Sequence, residues 1–269
     1  MQEIFMIITD EQEYRSHPAL NFSSAKHLLK SQKQFVAAKK EPFKPSRDMI
    51  IGTMVHSLAL ESKNGDYVVK PEDMDFRSTE GKKWKTAQKD REILSQEEHQ
   101  TVLRTSKALH DDPDASYLLS KCLQREIGIV VEYRGVQIKA RLDAIGKDEV
   151  EMPLLLDLKT TSDANPPDWS RKACSLSYLA QMEWYKNVYS LFHKLESPPS
   201  WAWIVAETSL AAEVVIIRPT EEAVEIGRAQ MDLMIDRYAD LQKTGKAKGY
   251  PSGMLDIEIP IYEKRRWIK

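Results

Sequence analysis

The sequence predicts an α/β (α+β) fold, with a central mixed β-sheet flanked by helices in a single domain. Three observations carry this expectation. Apolar residues recur at helical spacing through the first 120 or so positions. The period then drops to two across three successive segments. A helix, two more extended segments and a last helix follow. No internal repeat and no low-complexity linker interrupts the order, so 1–269 is read as one domain. Its N-terminal part, about 1–120, is helical; the sheet and its flanking helices occupy about 121–269.

Asn21, Ser23 and Ser24 are N-cap candidates for a first helix whose apolar stripe includes Ala25, Leu28, Leu29, Phe35 and Val36, ended by Pro42 and Pro45. A second helix is predicted over Asp48 to Glu61, with Gly52 one turn before His56. Asn64 to Gly81 reads as loop with one short strand. Ser95 and Glu98 form a capping box that opens a helix to about His110, closed by Asp111, Asp112 and Pro113. Glu126–Glu132 and Val136–Ile145 read as a β-hairpin around Tyr133-Arg134-Gly135, and Leu154–Thr160 as a third strand. In the second of these strands Val136, Ile138, Ala140 and Leu142 should point one way, and Gln137, Lys139, Arg141 and Asp143 the other. One long helix over about Arg171–Leu195, strands at Trp201–Ala206 and Ala212–Arg218, and a helix capped by Thr220 complete the pattern.

Bulk composition is that of an ordinary soluble globular chain, with 42% hydrophobic and 30% charged residues. No apolar run is long enough to cross a bilayer. The apolar start (Ile4 to Ile8) is too short for a signal-peptide core, carries Glu3 and lacks a basic leader, so a cytoplasmic location without membrane partners is expected. Two cysteines, Cys122 and Cys174, cannot make a four-thiolate metal site. Net charge is −2, so nothing global points to a polyanion, but the basic residues cluster. Lys26, Lys30, Lys33, Lys39, Lys40, Lys44 and Arg47 face Glu41 alone; Arg77, Lys82, Lys83, Lys85, Lys89 and Arg91 surround Trp84. The tail adds Lys264, Arg265, Arg266 and Lys269. Such clusters suit phosphate contacts, although solvated faces look the same.

The chemistry-bearing stretch is Arg141-Leu142-Asp143, thirteen residues, then Asp157-Leu158-Lys159. Alternation places Asp157 and Lys159 on one face of a strand, with Leu156 and Leu158 behind. If the strand of Asp143 pairs with it, two carboxylates and an ammonium converge, and Glu126 can join them. Carboxylates held together repel unless a divalent cation neutralises them, and hard oxygen ligands favour Mg²⁺ or Mn²⁺. Such a site suits phosphodiester hydrolysis. Against this stands simple pairing of the carboxylates with Arg141 or Lys139.

Several motifs in order resemble the RecB-type branch of the PD-(D/E)XK nucleases, and within it the RecE-like exonucleases (exodeoxyribonuclease VIII and phage relatives). They are Phe22-Ser23-Ser24-Ala25, Gly52-Thr53-Met54-Val55-His56 through Glu61, Arg77-Ser78-Thr79-Glu80-Gly81-Lys82, Arg141-Leu142-Asp143, and Leu156-Asp157-Leu158-Lys159-Thr160-Thr161. Gln181 with Tyr185, and Ile259-Pro260 with Trp267, complete the set. The resemblance implies a PD-(D/E)XK nuclease core with His56, Asp143, Asp157 and the Leu158 carbonyl as metal ligands, and Lys159 as the catalytic lysine. Glu126 would be the upstream acidic ligand, with Glu132 as rival, and Gln181 and Tyr185 would support the site or touch the scissile strand. It implies a Mg²⁺-dependent double-stranded DNA exonuclease, 5′ to 3′, for which Mn²⁺ can substitute. The resemblance extends to DNA-end resection in phage or bacterial homologous recombination, a ring-shaped homo-oligomer and a single-strand annealing protein as partner. Lys26, Lys30, Lys33, Arg77, Lys82, Lys83, Trp84 and Lys85 are the candidates for the DNA path. Leu142 stands where the class name has proline, a common replacement, and the iron–sulfur cysteines of some relatives are absent.

The alternatives are another RecB-type nuclease, cutting internally or acting on single strands, and a non-catalytic nucleic-acid-binding module on the same fold. A zinc hydrolase is a weaker option, because His56 alone is placed as an imidazole ligand where two or three are usual.

Overall fold

The computed structural model describes residues 5–42, 44–60 and 67–268. Strand β1 (Met6–Ile8) leads into α1 (Glu11–Ser16), capped by the Asp10 carboxylate, and β2 (Leu20–Asn21) precedes α2 (Phe22–Ala25). The single helix predicted from here to Pro42 is broken. A 3-10 turn (Lys26–Leu29) follows α2, then Ser31 takes an extended backbone and its hydroxyl accepts the Gln34 N–H, opening α3 (Gln32–Lys40). The cap competes with helix continuation, which is why a serine at this point ends one helix and starts another. Helix α4 (Arg47–Leu60) matches the second predicted helix, although Glu61 lies outside the described residues, as do 64–66 of the expected loop, Ile4 and Lys269.

Strand β3 (Tyr67–Val69) is the short strand expected there, and it pairs in parallel with β4 (Glu92–Leu94). Between them the sequence reading has no helix, yet Ser78 caps α5 (Thr79–Ala87). The Ser95–Glu98 capping box forms as expected at the start of α6 (Gln96–Asp111). Pro113, read as a stop, is instead the first residue of α7 (Pro113–Ser120), where its missing N–H costs nothing.

Strands β5 (Gln124–Tyr133) and β6 (Val136–Lys147) form the predicted hairpin. Arg134 and Gly135 both have positive φ, as a two-residue type I′ turn requires. Strand β7 (Pro153–Thr161) follows. The long helix predicted over Arg171–Leu195 is two helices, α8 (Pro166–Ser175) and α9 (Tyr178–His193), because Ser177 sits in the left-handed region (φ 62°, ψ 33°) and turns the chain. Strands β8 (Ser200–Glu207) and β9 (Val214–Ile217), helix α10 (Glu221–Thr244), capped by Thr220, and α11 (Ile261–Trp267) end the chain.

The main sheet is mixed, as predicted, in the order β1-β5-β6-β7-β8-β9, with β2 added in parallel to β6. Strands β7 and β8 are parallel; the remaining neighbours along this order are antiparallel. The N-terminal part, read as helical apart from one short strand, therefore supplies two strands to this sheet. One apolar core joins the sheet to α2, α3, α8, α9 and α10, through residues such as Leu155, Trp184, Trp203 and Met234. A second, on the opposite face, joins it to α4, α6 and α7 through Val55, Leu109, Leu156 and Leu158. Because both faces of β7 are covered, it reads as an almost continuous apolar run. No helix among the described residues is long and apolar enough to cross a membrane.

Candidate active site

The site lies where the ladders of β6 give out. Strand β7 pairs with β6 only from Ala144↔Leu156 onward, and β2 pairs with it only at Ile138 and Lys139. Extending the β6–β7 register by one pair sets Asp143 opposite Asp157, and extending the β5–β6 register across its gap sets Glu126 opposite Asp143. Glu126 has φ 54°, a left-handed conformation that costs a non-glycine residue about 1–3 kcal/mol. The strict alternation expected for Val136–Ile145 breaks here: Leu142 and Ile145 belong to the first core, Ala144 to the second. The irregularity lets carboxylates from neighbouring strands face one point.

Helix α4 supplies His56 from the other side. Its Nε2 lies 2.9 Å from the Leu158 carbonyl oxygen and its Nδ1 3.7 Å from Asp143 Oδ2. The Leu158 N–H donates to that same Asp143 oxygen at 2.9 Å. Among the described residues, His56, Glu126 and Asp143 each offer one ligand atom, all within 4.8 Å of one another. Asp157 stands beside this trio, and its side chain is bound to Lys159. The Lys159 ammonium donates to Asp157 Oδ1 at 2.6 Å; it also lies 2.5 Å from Oδ2, but without the alignment of a hydrogen bond. Oδ2 is therefore a buried oxygen with no hydrogen-bond donor.

Electrostatics follow from burial. Asp157, 1% exposed, has its pKa pushed up to about 6 by burial and by repulsion from Asp143, against the attraction of Lys159. Burial likewise holds Asp143 above the usual carboxylate range despite Lys159. Glu126 is raised by burial and by Asp143, although Arg141 donates to its Oε2 at 2.8 Å. His56 is lowered by burial and by Lys159, so the imidazole is neutral near pH 7. Burial also works against the Lys159 ammonium, but Asp157 and Asp143 outweigh it and keep the group protonated.

Three carboxylates thus face two cations, and the fold by itself does not satisfy them. The donors fit a hard divalent cation. Oxygen ligands dominate, and Asp157 Oδ2, which receives no hydrogen bond, has only the Lys159 ammonium 2.5 Å away to balance it. The Leu158 carbonyl can only accept, so His56 Nε2 carries the proton in this hydrogen bond; to hold a cation the imidazole would offer a ring lone pair instead.

Each residue named from the sequence can now be placed. His56, Glu126, Asp143, Asp157, the Leu158 carbonyl and Lys159 come together. Glu132, the rival to Glu126, pairs with Gln137 beside the hairpin turn, six residues or about 20 Å of extended strand away. Gln181 hydrogen-bonds Tyr185, whose hydroxyl is held protonated by burial, by Tyr14 and by the nearby Asp143 and Asp157. Tyr185 also packs on Trp201, so it belongs to both core and site edge. Arg141 pairs with Glu126, while Lys139 is buried and donates to the carbonyls of Tyr14 and His17 instead. The basic candidates Lys26, Lys30, Lys33, Arg77, Lys82, Lys83 and Lys85 are exposed, but Trp84 is half-buried and stacks on Phe76 at 6.0 Å. Sequence reasoning missed Tyr178, whose ring lies 5.0 Å from the Lys159 ammonium. Its signal was present: Tyr178, Gln181 and Tyr185 stand at i, i+3 and i+7 on one helix face.

No curated protein matches the chain significantly. The fold is shared with a crystallised Eubacterium rectale protein named "Putative exonuclease", at a TM-score of 0.60 and 11% identity, over 96% of this chain and 98% of that one. A second solved structure, SSO0001, aligns with 71% of this chain and 86% of its own at 14% identity, with a TM-score of only 0.31. A family model described as a PDDEXK-like domain of unknown function (DUF3799) matches residues 21–258. With nearly its whole length matched, the chain belongs to the PDDEXK-like DUF3799 family.

Proposed function

We propose that this protein is a Mg²⁺-dependent exonuclease of RecE-like habit, degrading linear double-stranded DNA from its ends. The observation that carries the reading is the convergence of His56, Glu126 and Asp143 within 4.8 Å, beside the buried Asp157–Lys159 pair. His56, Glu126, Asp143, Asp157 and the Leu158 carbonyl would hold the cation. When bound, a divalent cation supplies Lewis-acid polarisation of the phosphodiester and a more acidic water. The protein's own groups do the rest. Lys159 keeps its proton and offers an ammonium to the phosphate oxygen on which charge develops. Arg141 anchors Glu126, and the Leu158 N–H anchors Asp143, so the carboxylates are set before substrate arrives. The family's PDDEXK-like fold and the name of the Eubacterium rectale neighbour support a nuclease.

The finer assignments rest on the motif resemblance: polarity 5′ to 3′, resection for recombination, transfer to an annealing protein, and a ring of identical subunits. A ring would suit a chain of net charge −2 with local basic clusters, since closed symmetry can turn Lys26, Lys30 and Lys33, or Lys82, Lys83 and Lys85, toward a common axis. The test is digestion of linear duplex labelled at either 5′ or 3′ end, with and without Mg²⁺, alongside relaxed closed circles. Metal-dependent release of the 5′ label, with intact circles, is the expected result. Rapid cutting of the circles would replace this reading with an endonuclease, and no cutting of any substrate with Mg²⁺ or Mn²⁺ would favour a binding module.

A further inference from the structure

We infer that Tyr178 is the positioning residue for Lys159, its ring forming one wall of the slot that holds the ammonium; the role in turnover rests on the nuclease reading above. A lysine side chain is a flexible four-carbon stem ending in a compact charge, so something besides that charge must set where it points. The Asp157 carboxylate accepts its hydrogen bond. The Tyr178 ring also lies 5.0 Å from Nζ, a distance at which a ring face attracts a cation, and more strongly where water is excluded. The Lys159 side chain is only 15% exposed, so water is largely excluded.

The ring is itself held. Trp169 of α8, 1% exposed, packs against it with centroids 5.5 Å apart. The left-handed Ser177 delivers Tyr178 as the first residue of α9, directly after the turn from α8. A continuous helix here would point the ring elsewhere. The break between α8 and α9 therefore has a use: it puts an aromatic wall against the ammonium of a strand residue nineteen positions earlier.

Three variants test this: Tyr178→Phe keeps the wall, while Tyr178→Leu and Tyr178→Met remove the ring but leave bulk. Two readouts are needed. The first is the rate of reductive methylation of Lys159, followed by peptide mass spectrometry without metal or DNA. The second is kcat and KM on linear duplex at saturating Mg²⁺, with Lys159→Ala as reference. Loss of the ring should speed labelling of Lys159 severalfold. It should also lower kcat by about 3- to 30-fold, with KM and the half-saturating Mg²⁺ concentration within about twofold of wild type. Tyr178→Phe should match wild type in both. Unchanged labelling and kcat in the Leu and Met variants would overturn the inference, and so would a Phe variant as impaired as they are. Should wild type itself cut nothing, the nuclease reading fails while the labelling rates still decide the position of Tyr178.

Discussion

Gly52→Ala is the sharpest test of how the fold sets the site. Gly52 lies on α4 one turn before His56, and a methyl placed there would stand 2.8 Å from the Thr160 Oγ1 of β7. Ordinary contact begins at 3.4 Å, so helix and strand must part by about 0.6 Å, or the threonine must rotate. Overpacking of this kind costs about 1–3 kcal/mol. Alanine returns about 1 kcal/mol through its better helix propensity, for an expected net loss of about 0–2 kcal/mol. Function should suffer more. The 2.9 Å contact of His56 with Leu158 O depends on the same helix-to-strand distance. Since a misplacement of about 1 Å can cost a hundredfold, a shift of this size should cost about tenfold in turnover. Urea unfolding gives the first number and nuclease turnover the second. Removing the obstacle by Thr160→Ala in the Gly52→Ala background should restore much of both, a coupling that a double-mutant cycle measures. A Gly52→Ala protein more stable than wild type and fully active would refute the close-packing argument.

Three further outcomes follow from the same geometry. Lys159→Ala should lower kcat by about 10²- to 10⁴-fold while DNA binding by gel shift persists; matched losses in both would give the lysine a binding role instead. Asp143→Asn should raise the melting temperature of the metal-free protein at pH 8 while activity disappears. The sign follows from its raised pKa: folding favours the neutral acid, so the penalty grows as pH rises through the unfolded value toward the folded one, and the amide escapes it. At limiting Mg²⁺, activity should fall as pH drops below about 6, where Asp157 takes up its proton, and added metal should move that fall to lower pH; a profile insensitive to metal would separate Asp157 from the cation.

What the sequence determined by itself is local or strictly periodic. The Ser95–Glu98 capping box, the Arg134-Gly135 hairpin, and the sharing of one strand face by Asp157 and Lys159 depend on neighbours within a few residues, and each is found in the structure. The motif set also marked the residues that converge, His56 included. Breaks in regularity were not legible. Ser31 and Ser177 interrupt helices whose apolar stripes run on through them, because a cap or a left-handed residue adds nothing to a hydrophobic pattern. Strands β1 and β2 escaped notice because three- and two-residue segments carry almost no period, and pairing with β5 and β6 alone makes them strands. Which of Glu126 and Glu132 stands near Asp143 needed the β5–β6 register, since both glutamates lie on the same strand. Tertiary structure also decided the protonation of the site, because the raised carboxylates reflect helices packed over both faces of β7, a burial set by residues far along the chain.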